Sequence, residues 1–206
     1  MYNCEYPDEK DKVTVEYGAD LPSSLYGSAF PTRKIYNWLD ADFDYQSNLF
    51  NLNNIHKSPN SLLRVVEAKS DKISGITQPW MYLGMLFATF CWHVEDLFIH
   101  SINHNHLGST KTWYVIPGKH KEDFDRYVKE RCESKRKKNL LEKITLMVDP
   151  LELIKHGIPV YKVNQRERDF VATFLKVYFP LLRLITADFH TASTLAKLSI
   201  LFTTMT

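Results

Sequence analysis

Apolar and polar positions alternate along the middle of the chain, which is the pattern of a half-buried β-strand. The alternation runs through Phe98–His106, and the next segment, Leu107–Thr110, has the composition of a turn. A second alternating run, Lys111–Ile116, is closed by a Pro-Gly pair. The pattern therefore predicts two consecutive strands within a strand-rich core that covers Ile76–Pro117.

The rest of the chain is predicted to wrap this core with short elements. Apolar positions among many charges, as in residues 119–143, are typical of amphipathic surface helices. The other predicted segments are a polar N-terminal stretch at 1–12, a turn-rich part at Leu21–Asn60, a helix beginning at Ser61, a short helix at Pro150–His156 and strand structure at Val160–Phe174. No internal repeat is evident, so the pattern favours one mainly β domain with peripheral helices.

Residues two apart on a strand point to the same face. One face of the first predicted strand carries Ser101, Asn103 and Asn105, and one face of the second carries Lys111, Trp113 and Val115. A lysine on the inward face of an aromatic-rich strand is costly unless it meets an anion. A buried dicarboxylate co-substrate would supply that anion.

Candidate metal chemistry comes from Phe90–Asp96, which contains His93 and Glu95 two residues apart. On a strand this spacing projects both side chains into the same cavity. One imidazole and one carboxylate make two-thirds of the facial triad that holds non-haem iron(II). The alternative is that they are two polar residues on a half-buried strand. A cluster of His100, His104 and His106 leaves open a second metal site, on the face of opposite parity.

Composition narrows the function classes. With 206 residues and 44% apolar content, the chain can bury a core of its own. We expect no membrane span and no signal peptide, since no apolar run approaches the roughly 20 residues that a span needs. The 3 cysteines have no zinc spacing, which is typical of a reduced intracellular compartment. A net charge of +2 is too small to indicate nucleic-acid binding.

Several motifs in order resemble the JmjC domain. They are Phe90-x-Trp92-His93-x-Glu95-Asp96, Ser101-Ile102-Asn103, His106 and Lys111-Thr112-Trp113-Tyr114. Other segments are similar to the JARID branch of that family, namely Val15–Asp20, Gly27–Pro31, Asn51–Asn54, Pro79–Met85, Lys155–Tyr161, Asn164-Gln165 and Asp169–Phe174. The resemblance covers roughly Val13 to Phe174, which is most of the chain.

The resemblance implies a double-stranded β-helix, the jelly-roll or cupin-like barrel, with the active site in its mouth. It implies a histone lysine demethylase that uses iron(II) and the co-substrate 2-oxoglutarate to hydroxylate the N-methyl group of lysine 4 of histone H3. Histone H3 in chromatin would be the partner, and the nucleus the location. The basic run Lys135–Lys138 is either a nuclear-import signal or a solvated helix face. The predicted division is a flexible segment at 1–12, a catalytic domain at 13–178 and a divergent tail at 179–206.

The same resemblance implies roles for individual residues. His93 and Glu95 would bind iron, Lys111 and Tyr17 would bind the distal carboxylate of 2-oxoglutarate, and Tyr82 would line the methyl-lysine pocket. Four more residues would surround the co-substrate, namely Phe90, Ser101, Asn103 and Trp113.

The sequence departs from the family pattern after Phe174. The position of the third iron ligand, a histidine in the family, is occupied by Phe179, which has no lone pair to give. We therefore expect a barrel that is incomplete at its C-terminal end, with turnover weak or absent unless His190 substitutes as the ligand. Two alternatives remain beside the demethylase, namely a catalytically inactive histone-binding or chromatin-binding module and a JmjC protein hydroxylase.

Overall fold

The computed structural model describes residues 14–32, 46–65, 72–95, 99–132, 146–173, 181–182 and 191–198. Its strands are β1 (Tyr17–Pro22), β2 (Trp80–Gly84), β3 (His100–Gly108), β4 (Lys111–Val115), β5 (Tyr161–Gln165), β6 (Phe170–Thr173), β7 (Leu181–Leu182) and β8 (Thr191–Leu198). The α-helices are α1 (Ser23–Tyr26), α2 (Lys121–Tyr127) and α3 (Pro150–Lys155). Short 3₁₀ segments lie at Ile55–Lys57 and Gly118–His120, and a π-helical turn follows α2 at Val128–Cys132.

The strands form two antiparallel sheets. One has the order β1-β2-β8-β3-β6 and the other the order β5-β4-β7. The two strands predicted from alternation, β3 and β4, are therefore neighbours in sequence that lie in different sheets. Side chains of the small sheet contact the inward face of the large one, as Lys111 does when it donates to Asn103. The predicted mainly β, jelly-roll class is confirmed, with its helices outside the sheets.

The C-terminal part of the chain contributes to both sheets. Strand β8 lies between β2 and β3, with Ser193 opposite Tyr82 on one side and Asn105 on the other. Strand β7 adds a short edge to β4. Here the structure differs from the expected loss of the final strands. Without β8, the edges of β2 and β3 would leave backbone N–H and C=O groups unpaired, which is costly.

Helices α2 and α3 pack on one apolar cluster beside the small sheet. Buried Phe124 and Val128, from α2 and the turn after it, lie with Leu153 of α3 against Trp92 and Ile116. The Trp92 indole donates to the carbonyl of Val148 at 3.0 Å, which satisfies its N–H in the core. This cluster fixes the segment that leads from Trp92 into the predicted metal-binding pair. No helix in the described part of the chain is long and apolar enough to cross a membrane.

Candidate active site

A buried lysine lies at the centre of the inward face of the barrel. Lys111 begins β4, is 3% exposed, and donates from Nζ to Asn103 Oδ1 and to Ser193 Oγ, each at 2.7 Å. These two acceptors come from β3 and β8 of the opposite sheet. These two acceptors are neutral oxygens, and they orient the ammonium group. The predicted placement of Lys111 and Asn103 in one pocket agrees with this geometry.

A buried amide supports this end of the pocket. Gln165 of β5 is fully buried, and its Oε1 accepts from the Trp113 indole at 2.9 Å. Its Nε2 donates to the backbone carbonyls of Asn103 at 3.0 Å and Asp169 at 3.1 Å. The Lys111 ammonium lies 5.8 Å from the centre of the Trp113 ring. Gln165 therefore links the strand that carries the lysine to the strand that carries its acceptor.

A chain of two hydrogen bonds, from Thr173 to Ser101 and from Ser101 to Glu95, supports the predicted metal-binding carboxylate. Ser101 Oγ donates to Glu95 Oε1 at 2.6 Å, and the same oxygen lies 2.6 Å from Thr173 Oγ1 of β6. Because the Ser101 proton goes to the carboxylate, the Thr173 hydroxyl is the donor in the second bond. Ser101 was predicted beside the co-substrate. In the structure its hydroxyl orients Glu95.

The geometry of His93 suits a metal ligand. Its Nδ1 lies 2.8 Å from the carbonyl oxygen of Cys91, which only accepts, so Nδ1 carries the hydrogen. A neutral ring held in this way has its lone pair on Nε2, the atom that most often binds metals in this tautomer. The Phe90 ring lies beside the imidazole, with 6.1 Å between ring centres.

Three predicted residues form an aromatic wall. Tyr17 stacks on Tyr82 with 6.2 Å between ring centres, and Phe90 meets Tyr17 edge-on at 5.2 Å and Tyr82 at 5.4 Å. The Tyr82 hydroxyl donates to Asp20 Oδ1 at 2.6 Å. Burial, and then Asp20, raise the pKa of Tyr82 above its usual range, so the phenol keeps its proton and remains a donor.

Asp20 reaches Tyr82 because β1 is irregular at that point. The pairing register between β1 and β2 shifts between Gly18 and Leu21, and Asp20 has a positive φ of 54°. A bulge of this kind redirects a side chain out of the regular alternation. The pattern of β1 alone does not reveal this, so Asp20 was missed as a site residue.

The structure brings most of the predicted residues together. Of the residues predicted around 2-oxoglutarate, Lys111, Asn103 and Trp113 are linked by hydrogen bonds, in part through Gln165. The other two aromatic members, Tyr17 and Phe90, contact each other and Tyr82. Phe179 and His190 lie outside the described residues, as do residues 1–12 and Lys135–Lys138. Within the described ranges, no group of three or more His, Cys, Asp or Glu side chains comes together as a metal site.

The side chains of the site suit 2-oxoglutarate better than they suit iron(II). A 2-oxoglutarate carboxylate fits the Lys111 end, where a buried ammonium is already positioned by two hydrogen bonds. Iron(II) fits His93 and Glu95 in the type of donor, one imidazole and one carboxylate. The facial triad needs three protein ligands, and the described part of the chain supplies these two. One buried acceptor on this face, Asn105 Oδ1, meets no donor, which is typical of a pocket that holds a polar occupant or water.

The opposite face of β3 carries a pair of histidines. The His104 and His106 rings stack with 4.5 Å between centres, and Phe30 packs edge-on against both. Burial lowers the pKa of each ring to about 4, and the positive charge of Lys111 acts in the same direction. Both are therefore neutral near pH 7. His100 is bonded elsewhere, to the carbonyl of Thr173 at 3.3 Å.

A cavity of about 690 Å³ is lined by other parts of the chain than the predicted site residues. Its lining includes Ser28, Phe30, Asn53 and Thr77, and none of the predicted site residues. The predicted chemistry therefore lies in the interior of the barrel rather than in this cleft.

Four residues of the site were not predicted from the sequence, namely Asp20, Gln165, Thr173 and Ser193. Gln165 and Thr173 fall within family-like segments, and that similarity was the available signal. Ser193 lies in the divergent tail and had none. Its place beside Lys111 follows only from the pairing of β8.

Comparisons with known proteins identify sequences that are related to this chain. The family model described as JmjC domain, hydroxylase matches residues 80–184. Lysine-specific demethylase 5B of Gallus gallus is 38% identical over 172 residues, which is 82% of this chain and 11% of that protein. Lysine-specific demethylase 5D of Homo sapiens is 37% identical over 174 residues, with the same shares. The chain thus spans about 11% of the length of these relatives. The resemblance inferred from the motifs is confirmed.

Proposed function

This chain belongs to the JmjC domain family, and from that premise we propose that it is the JmjC portion of a histone lysine demethylase. The proposed substrate is lysine 4 of histone H3 in its methylated form, within chromatin of the nucleus. Iron(II) and 2-oxoglutarate are the proposed cofactor and co-substrate. Two relatives named lysine-specific demethylases support this proposal. The observation that carries it is the buried Lys111 ammonium, positioned at 2.7 Å from both of its acceptors.

At the co-substrate end, Lys111 binds the distal carboxylate through a charge-assisted hydrogen bond. Asn103 and Ser193 fix the direction of the ammonium, and Gln165 fixes the strand that carries Asn103. The low local polarity strengthens the ion pair. A five-carbon dicarboxylate is therefore favoured over a 2-oxo acid that lacks the second carboxylate.

At the metal end, His93 Nε2 and the Glu95 carboxylate are the proposed ligands. Iron(II), when bound with 2-oxoglutarate and oxygen, supplies the oxidising chemistry. The protein orients the ligands, through the Cys91 carbonyl on one side and the Ser101 hydroxyl on the other. Such supporting bonds raise metal affinity because they hold the ligand atoms in place.

At the substrate end, the aromatic wall and Asp20 fit a methylated lysine. A methylated ammonium is attracted to aromatic faces, and Tyr82 provides one, while Tyr17, stacked on it, remains the proposed tyrosine contact to the distal carboxylate. The Asp20 carboxylate, held by Tyr82, adds a negative charge beside that wall. A basic histone tail matches this arrangement, and Tyr82 is the proposed contact to the methyl-bearing nitrogen.

We propose further that turnover is weak or absent, because Phe179 occupies the position of the third ligand. Two protein ligands hold a metal less firmly and fix its geometry less well than three. The test compares the chain with its Phe179→His variant. Anaerobic titration with iron(II) and 2-oxoglutarate should give a stronger charge-transfer band in the variant. Formaldehyde release from a peptide trimethylated at lysine 4 of H3 should rise with it.

Equal iron affinity in both proteins would contradict the proposed ligand position. Rapid formaldehyde release by the unmodified chain would contradict the proposed weak turnover. Loss of the band after Lys111→Ala, measured in the Phe179→His variant, would support the co-substrate site. A Lys119→Ala variant is the matched control, because Lys119 is an exposed lysine near the end of the same strand.

A protein hydroxylase is the second candidate, since the matching family model carries the word hydroxylase in its description. Mass spectrometry of the treated peptide separates the two reactions. A demethylase removes a methyl group, whereas a hydroxylase adds an oxygen that remains on the peptide. A chromatin-binding module would bind the methylated peptide with the same affinity whether or not iron is present.

A further inference from the structure

Strand β8 places one serine in the middle of the proposed pocket. Ser193 lies opposite Tyr82 of β2 and opposite Asn105 of β3. Residues directly opposite on neighbouring strands share a face, so these three side chains form a row across the inward surface. All three are buried, with exposures of 6% for Tyr82, 1% for Ser193 and 0% for Asn105. The row runs from the proposed substrate wall to the co-substrate end.

Ser193 contacts the ammonium group of Lys111, which would bind the co-substrate. Its Oγ accepts a hydrogen bond from Lys111 Nζ at 2.7 Å, the same distance as the bond from Lys111 to Asn103. The two acceptors differ in chemistry. The amide oxygen of Asn103 only accepts, whereas a hydroxyl accepts and also donates its own proton. While its oxygen holds the ammonium, the Ser193 proton remains available to a second acceptor in the pocket.

We propose that Ser193 is a co-substrate-binding residue, which positions the Lys111 ammonium and donates a hydrogen bond to the distal carboxylate of 2-oxoglutarate. The inference deepens the proposed function and rests on it. A carboxylate that contacts Lys111 lies within reach of the hydroxyl bonded to that same nitrogen. The anion then receives one charge-assisted bond and one hydroxyl bond from two different strands. The chain should therefore prefer a 2-oxo acid that carries a second carboxylate over one that lacks it.

This role is separable from simple packing. A serine that only filled space would affect all 2-oxo acids alike, through the stability of the barrel. A serine that acts on the distal carboxylate affects 2-oxoglutarate and leaves 2-oxobutyrate, which lacks that carboxylate, unchanged. The ratio of the two affinities is therefore the informative quantity, because a general loss of structure does not change it.

The experiment is calorimetric titration of the full chain with each 2-oxo acid, in the presence of Mn(II) as a redox-inactive substitute for iron(II). Ser193→Ala should weaken 2-oxoglutarate binding about ten- to hundredfold, as for loss of a hydrogen bond to a charged group. Binding of 2-oxobutyrate should stay within about twofold. Ser193→Thr, which keeps the hydroxyl, should restore most of the preference. Ser24→Ala, an exposed serine, is the control for the substitution itself.

The outcomes separate the two proposals. If the unmodified chain is folded and binds no 2-oxoglutarate, the proposed function and the role of Ser193 are both wrong. If it binds 2-oxoglutarate and Ser193→Ala leaves the ratio unchanged, only the role of Ser193 is wrong. A parallel loss for both acids, with a lower melting temperature, would also overturn that role, because it would assign Ser193 to packing. Should Ser193→Ala not fold, Ser193→Cys decides, because a thiol fills nearly the same space but is only a weak hydrogen-bond donor. A lower preference for 2-oxoglutarate in Ser193→Cys would support the role of Ser193, and an unchanged preference would overturn it.

Discussion

The two ends of the proposed pocket are built differently. The co-substrate end is assembled from β3, β4, β5 and β8, and its central lysine is held by side chains from two of them. The metal end rests on His93 and Glu95, which lie in the irregular stretch between β2 and β3. There the supporting bonds include a backbone carbonyl and a serine hydroxyl.

The difference shows which part of the site survives a change in the C-terminal sequence. At the co-substrate end, backbone pairing positions the residues, so a strand of different sequence still brings a hydroxyl to Lys111. At the metal end, one specific side chain must supply a lone pair, and Phe179 has none. Backbone pairing can keep a strand in place when its sequence changes, whereas a coordination site also requires each ligand side chain to be the right one.

The largest expected effect comes from removing the charge at the co-substrate end. Lys111→Met keeps an unbranched side chain but leaves Asn103 Oδ1 and Ser193 Oγ without their donor. We expect 2-oxoglutarate affinity to fall at least about thirtyfold, the usual cost of removing one partner of a buried charge pair. Calorimetric titration measures it, and Lys119→Met is the control. Unchanged affinity in folded protein would move the co-substrate site elsewhere.

Removing the support of the same end should affect folding more than binding chemistry. Gln165→Leu leaves the Trp113 N–H and two carbonyls without their partner. We expect the free energy of unfolding to fall by about 2 to 3 kcal/mol, measured by urea denaturation. Lys162→Leu, at an exposed position on the same strand, should change it by less than about 0.5 kcal/mol. Similar losses in both variants would contradict the bridging role.

At the metal end, a smaller effect is expected from the hydroxyl that orients Glu95. Ser101→Ala removes the donor at 2.6 Å and also breaks the bond from Thr173. Metal affinity, measured by Mn(II) titration, should fall about tenfold, as is common for a supporting residue of a metal ligand. The preference for 2-oxoglutarate over 2-oxobutyrate should remain. A collapse of that preference instead would place Ser101 at the co-substrate end, as the family resemblance implied.

The smallest expected effect lies outside both ends of the pocket. It concerns the loss of folding stability at acid pH that the buried His104 and His106 would cause. Burial depresses the pKa of His104 and His106 to about 4 in the folded chain, against an unfolded value near 6.5. Their contribution to stability is therefore fully present above pH 6.5. It is lost as the pH falls from 6.5 to 4, because the unfolded chain binds protons that the folded chain does not.

We expect His104→Phe to reduce that acid-side loss by about 1 kcal/mol, allowing for solvent around a partly exposed ring. Urea denaturation at pH 7 and at pH 5 measures the change. His120→Phe is the control, since His120 lies on the surface side of the 3₁₀ turn and pairs with Asp123. Identical pH dependence in the original chain and the His104 variant would assign the acid sensitivity to other groups.

Much of the co-substrate end could be predicted because strands have a period of two. That period placed Ser101 and Asn103 on one face and Lys111 and Trp113 on another, and the structure buries all four. Which partner each would find was not predictable. Ser101 bonds Glu95, a contact that the alternation does not reveal, since the path of the chain in three dimensions decides which side chains meet. Asp20 was hidden because a bulge breaks the alternation.

The sequence by itself determined the family, the mainly β class and the residue types of the proposed chemistry, because alternation and motif order are local properties of the chain. It also carries Phe179 at the position where the family resemblance implies the third iron ligand. Only the tertiary structure decided that β8 enters between β2 and β3 and brings Ser193 to Lys111. Strand pairing joins segments far apart in sequence through backbone hydrogen bonds, which are much less dependent on side-chain identity than a motif is.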